Sequence, residues 1–166
     1  MKVLNLLLLV LMLCCVISCS RDRSSDADGN WSLRGLSIDA DYNVSRTERQ
    51  SSNYFIFSGV DATSPANKLR IYFSELPTKS GKYQVVDFHN DVQLSPSQVG
   101  IRVDVPKKGI YTSTGISDNM TWSAAPPIDL TIASGKYKIL IQPMTTKVVY
   151  TNGLDTVRLQ GIISEY

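Results

Sequence analysis

The stretch Val99-Gly100-Ile101-Arg102-Val103-Asp104-Val105 decides the fold. Every second residue is a β-branched aliphatic, and those between are glycine or charged. Successive side chains of a strand point to opposite faces, so one face of this segment belongs in a core and the other outside it. The same period recurs on either side. Leu69, Ile71 and Phe73 alternate with Arg70 and Tyr72, and Leu130 and Ile132 flank Thr131. Tyr137, Ile139 and Ile141 alternate with Lys138, Leu140 and Gln142, and Val157 and Leu159 flank Arg158. Tyr54-Phe55-Ile56-Phe57 is unbroken and apolar, as suits a buried strand. Turn formers stand between the runs: Ser64-Pro65-Ala66-Asn67, His89-Asn90-Asp91, Ser95-Pro96-Ser97, Pro106 to Gly109, Pro126-Pro127 and Asn152-Gly153. No segment after the leader holds a helical period. About nine or ten strands follow, and the expected fold is all-β: a single antiparallel β-sandwich, with a β-barrel as the alternative.

Three short repeats punctuate the strands. Gly81-Lys82-Tyr83, Gly109-Ile110-Tyr111 and Gly135-Lys136-Tyr137 each follow an alternating run, and two of them share Ser-Gly-Lys-Tyr. A glycine that closes a turn takes positive φ at little cost. Positive φ is therefore expected at Gly81, Gly109 and Gly135.

The amino terminus gives an address. Lys2 is followed by an uncharged apolar run, Val3 to Ile17. That run is shorter than the roughly 20 residues needed to cross a bilayer, and it fits a secretory signal. It ends Val16-Ile17-Ser18-Cys19, which resembles the lipobox of bacterial lipoproteins. The resemblance implies cleavage before Cys19 and lipid on its thiol, so that the partner at this end is the bilayer itself. Two acyl chains suffice for stable anchoring. The expected organisation is a leader over 1–18, a lipidated cysteine and flexible tether over 19–30, and a β domain over 31–166. All three cysteines, Cys14, Cys15 and Cys19, lie in this region, so the β domain has no disulfide framework or thiol nucleophile.

Together the lipobox, the tether, Phe73 to Tyr83 and the closing Leu159 to Glu165 resemble small β-rich lipoproteins of Bacteroidetes-type bacteria. The resemblance implies an envelope location and a sandwich-like fold, and no reaction. Ser20 after the cysteine, in place of aspartate, implies the outer membrane under the sorting rule of such lipoproteins. Whether the chain faces the periplasm or the cell exterior stays open.

Chemistry is sparse. His89, the one histidine, stands in Asp87-Phe88-His89-Asn90-Asp91, where an extended backbone would put Asp87, His89 and Asp91 on one face. That is a dyad or weak metal site, or ordinary turn chemistry. No second histidine completes a zinc site, and no phosphate loop, nucleophile elbow or paired-histidine helix motif occurs. No cofactor and no metal are expected. A net charge of +2 with no basic–aromatic run gives no reason for a nucleic-acid partner. Lys79, Lys82, Lys107, Lys108, Lys136 and Lys138 flank the glycine turns. They form a basic rim or merely blunt edge strands. Gly29-Asn30-Trp31 resembles the first strand of lipocalins, in which an arginine near the last strand packs on the tryptophan; Arg158 is the candidate. Trp122 is a core residue or a sugar-stacking platform. The candidate ligand-binding residues are thus Trp122, Lys82, Lys108 and Lys136. The leading expectation is a non-enzymatic module that binds an envelope protein or glycan. A lipocalin-like carrier of a small apolar ligand is the alternative, and an enzyme using His89 with Asp87 and Asp91 comes third.

Overall fold

A computed structural model describes residues 23–26, 28–36, 38–88, 93–106, 110–113, 125–150 and 153–165. The described chain is strands and connections, with no α-helix among them. The strands are β1 (Arg23–Asp26), β2 (Asp28–Arg34), β3 (Asp39–Ser51), β4 (Phe55–Asp61), β5 (Lys68–Phe73) and β6 (Gly81–Val85). They continue as β7 (Gln98–Val105), β8 (Ile110–Ser113), β9 (Ile128–Ala133), β10 (Lys136–Tyr150) and β11 (Gly153–Ser164). The fold is the all-β, sandwich-like one that the alternation predicts.

Hydrogen-bonded neighbours run β1-β3-β2-β11-β10-β9-β6-β7-β5-β4, with β8 pairing both β7 and β10. The strand β3 joins the two layers. Its first half pairs with β2, from Asp39↔Arg34 to Asn43↔Asn30. From Val44 onward it pairs with β4. The layers meet face to face across the interior: the Phe57 and Tyr137 rings lie 5.7 Å apart, and Ile163 fills the space over Gly59.

The inward positions are those that the period of two selects. Leu69, Ile71, Phe73, Val99, Ile101, Val103, Val105, Ile139, Ile141, Val157 and Leu159 are buried in one continuous cluster with Trp31 and Phe57. Full burial of such a side chain contributes roughly 1.5–3 kcal/mol. β4 is buried along nearly its whole length, as its unbroken apolar run predicts.

A smaller cluster covers the outside of β5. Tyr72, on the face opposite Ile71, is buried under Phe88, with ring centroids 4.5 Å apart, and Tyr54 meets Phe88 edge-on. A Cβ at Gly100 would stand 2.2 Å from the Phe88 ring, so only glycine admits the ring there. Phe88 and Leu94, from the connection between β6 and β7, thus lie on this outer face, and β7 runs alongside β6 in the same direction. Gln84↔Gln98 and Val85↔Val99 form a parallel pair in an otherwise antiparallel ladder. Alternation encodes which face is buried but not strand direction, so the sequence reading of a purely antiparallel sheet misses this pair.

Two turns follow their sequence signals. Asn67 N–H donates to the Ser64 carbonyl (2.9 Å), and Asp61 clasps the same turn by accepting from Thr63 Oγ1 (2.6 Å) and Asn67 Nδ2 (3.0 Å). Gln98 N–H donates to Ser95 O (3.0 Å) across Pro96-Ser97.

Two expectations are corrected. The tether expected over 19–30 joins the sheet from Arg23. β1 pairs with β3 from Arg23↔Arg49 to Asp26↔Arg46, and β2 begins at Asp28. Ladder hydrogen bonds need backbone groups and not apolar side chains, and β3 is long enough to take both segments in turn. Of the three repeat glycines, Gly135 has positive φ (74°) and Gly81 does not; Gly109 lies outside the described residues. Gly81 opens β6 after a long loop, where no tight turn requires a left-handed residue.

Candidate functional site

The outer face of β3, β2, β11, β10 and β9 carries a polar cleft. Its rows follow from register. One runs Asn43–Asn30–Ile162–Leu140–Asp129–Lys82 across six strands. A second runs Asp28–Ser164–Lys138–Thr131. A third runs Asp41–Ser32–Gln160. Neighbours within a row stand roughly 4.8 Å apart, the spacing of paired strands.

A β-bulge shapes the third row. The register jumps from Ile141↔Gly161 to Met144↔Leu159, so Gln142 and Pro143 together oppose Gln160. Proline has no N–H for the ladder, and a bulge is where a strand tolerates it. Two adjoining hollows result. The larger has a volume of about 740 Å³ and is walled by Asp28, Asn30, Asn43, Thr131 and Lys138. The smaller, about 280 Å³, is walled by Ser32, Asp41, Gln142 and Gln160. Asn30 and Ile162 belong to both, so the two are one groove.

Much of this surface is unengaged. The side chains of Asn30, Asn43, Gln142 and Gln160 hydrogen-bond to no described residue. Ser32 is only 5 % exposed, and its Oγ has no hydrogen-bond partner among the described residues. Asp41 is held by Arg34 Nη2 at 2.5 Å.

Three carboxylates elsewhere are already satisfied. At the end of the sheet where β10 begins, Glu165, with a side chain 4 % exposed, takes both Nε (2.9 Å) and Nη2 of Arg49. It also accepts from Thr47 Oγ1 (3.2 Å) and Tyr137 N–H (2.8 Å). Arg49 lies 4.4 Å over the Tyr137 ring and donates to Gly135 O (2.9 Å). Burial pushes the Tyr137 phenol up, Glu165 and Tyr83 add to this, and Arg49 opposes it. The phenol donates to Pro77 O (2.8 Å). On the outer face of β3, β5 and β7, Glu48 bridges Lys68 (2.5 Å) and Arg46 (3.2 Å), and Asp104 bridges Arg70 and Arg102. Burial raises the Glu48 carboxyl, but the hydrogen bonds and charges of Lys68 and Arg46 outweigh it and hold the group below the usual glutamate range.

The candidates from sequence divide. Lys82 ends the first row opposite Asp129, and Lys136 stands beside the Lys138 wall, opposite Ala133. The two Ser-Gly-Lys-Tyr copies thus flank one strand, β9, from either side. Cys19, Lys108, Trp122, His89 and Asp91 lie outside the described residues; Asp87, the remaining member of the histidine group, is partly buried. Trp31 stacks on Tyr42, with centroids 3.8 Å apart, while Arg158 lies opposite Arg34. The arginine-on-tryptophan contact implied by the lipocalin likeness is thus replaced by an aromatic pair. The amide groove itself went unread in the sequence. Its one local signal is Pro143, which ends the Tyr137–Gln142 alternation and marks a bulge.

No family model, no curated protein and no solved structure matches this chain.

Proposed function

We propose that this chain is a lipid-anchored envelope protein whose β domain is a non-enzymatic binding module for a protein or glycan. The observation that carries the binding half is the groove of unengaged polar side chains on the outer face of β3, β2, β11, β10 and β9. It lies over an interior occupied by the Trp31, Phe57 and Tyr137 rings, so a ligand meets the outside of the sheet. The anchoring half rests on Val16-Ile17-Ser18-Cys19 after an apolar leader, and the outer membrane is the membrane expected from Ser20.

One observation favours a carrier as the second reading: β3 pairs with both β2 and β4, so the ladder returns on itself as a barrel's does. An apolar molecule extracted with the purified protein, and displaced by fluorescent fatty acid, would favour that reading.

The test uses the full chain in its own cells. A photo-crosslinking residue at Thr131, inside the groove, captures an envelope partner, and one at Arg102, on the opposite face, does not. Radiolabelled palmitate enters the wild type, and Cys19→Ala abolishes both the label and membrane retention. A Cys19→Ala chain that is still processed and membrane-bound, or equal capture from both faces, overturns the reading.

A further inference from the structure

We infer that the groove binds a neutral, polyhydroxylated chain: an oligosaccharide laid across β3, β2, β11 and β10. The inference rests on the binding-module reading and names its ligand class. Its first support is donor chemistry. A carboxamide offers two N–H donors and a carbonyl acceptor, so it matches hydroxyls that both give and take hydrogen bonds. Asn30, Asn43, Gln142 and Gln160 bring such groups to one face, and none is engaged by a described residue.

Its second support is Ser32. A hydroxyl that is nine-tenths buried normally finds a partner, and one without calls for an explanation. Ser32 Oγ has none among the described residues, and it lies in the wall of the smaller hollow between Asp41 and Gln160. A ligand hydroxyl would satisfy it. A site with such a group also rejects analogues that lack the hydroxyl, because the buried oxygen is then stranded.

Charge and floor complete the argument. Asp28 and Lys138 oppose each other in sign within one wall, and Asp41 is neutralised by Arg34, so the groove selects neither anion nor cation. Its floor is aliphatic: Ile162 and Leu140, both half-buried, suit the C–H face of a sugar ring. Protein hot spots are instead built on aromatic and arginine anchors in desolvated pockets, and the described groove has none.

The test places the full chain, in detergent micelles, on an array of neutral and anionic oligosaccharides. At least one neutral oligosaccharide is retained. Asn30→Ala with Gln160→Ala, both exposed positions, weakens it by about tenfold or more, the scale of losing two hydrogen bonds. Ser32→Ala weakens binding while the denaturation midpoint holds or rises, because the change removes an unpartnered buried hydroxyl; a merely structural serine would leave affinity unchanged. Competition by polysaccharide extracted from the producing cells separates a self polymer from a foreign one, and either supports the site. Retention of anionic oligosaccharides alone, retention of none, or wild-type affinity in the folded double variant overturns the inference. If Thr131 still captures an envelope protein in that case, the binding-module reading stands and only the glycan falls.

Discussion

At Ser134 and Gly135 the chain reverses between β9 and β10 with both central residues in the left-handed region, φ 51° and 74°. Register pairs Ala133 with Lys136 directly across them. A two-residue hairpin turn of this kind matches the twist of the flanking strands, and glycine adopts it without strain. Gly135→Ala should therefore cost about 1 kcal/mol, read as a lower midpoint in chemical denaturation. Gly81→Ala should leave the midpoint unchanged. Its backbone is extended, and nothing lies within 4 Å of a Cβ built there. Equal losses at the two sites would contradict this account. The comparison also shows a limit of reading residues in isolation. Ser80 to Tyr83 and Ser134 to Tyr137 share four letters, yet one opens a strand after a loop and the other closes a hairpin. The difference lies in loop length, which the tetrapeptide does not carry.

The strand β3 and its neighbours show what alternation yields. Arg70, Arg102 and Asp104 stand between buried aliphatics, Glu48 follows the buried Thr47, and all four face outward. What alternation cannot supply is who stands opposite whom. Glu48 meets Lys68 across β4, a contact set by the order β3-β4-β5. This contact has a pH consequence. The folded-state pKa of Glu48 is depressed, so the stability it contributes is complete above the ordinary glutamate value of about 4.3. That stability is lost as pH falls through the lower, folded-state value. Acid titration followed by circular dichroism should show a shallower loss of stability in Glu48→Gln than in the wild type, with the curves converging at the acid end. Parallel curves would mean that the carboxylate is not held by its neighbours. The amide groove has the same origin. Gln142 and Gln160 are each visible as polar positions in an alternating run. That they meet Ser32 depends on the bulge and on β2 docking against β11, pairings between distant segments.

Across the whole molecule, Glu165 ties the end of the chain to both layers. It receives Thr47 and Arg49 from β3 and the Tyr137 amide from β10. Removing one partner of a buried pair strands the other charge. Glu165→Ala should cost about 3 kcal/mol, toward the lower end for such pairs because Arg49 remains partly exposed. Glu165→Gln, which keeps an acceptor, should cost less; equal midpoints for Ala and wild type would show that the clasp is dispensable. The all-β class, the core and the outward faces were legible because they follow from local period. The layer junction at β3, the parallel β6–β7 pair and the clasp were not, because each joins residues far apart in the chain.

The pairing of β1 with β3 also fixes how the domain bears force. Arg23 begins a run that continues as β2 between β3 and β11. A pull on the amino terminus is thus directed along the strand, while antiparallel hydrogen bonds lie perpendicular to it. The ladders of Arg23–Asp26 and Asp28–Arg34 take such a load in shear, their bonds sharing the tension instead of parting one after another. A chain tugged at its amino-terminal side would resist as a riveted seam does, and not peel.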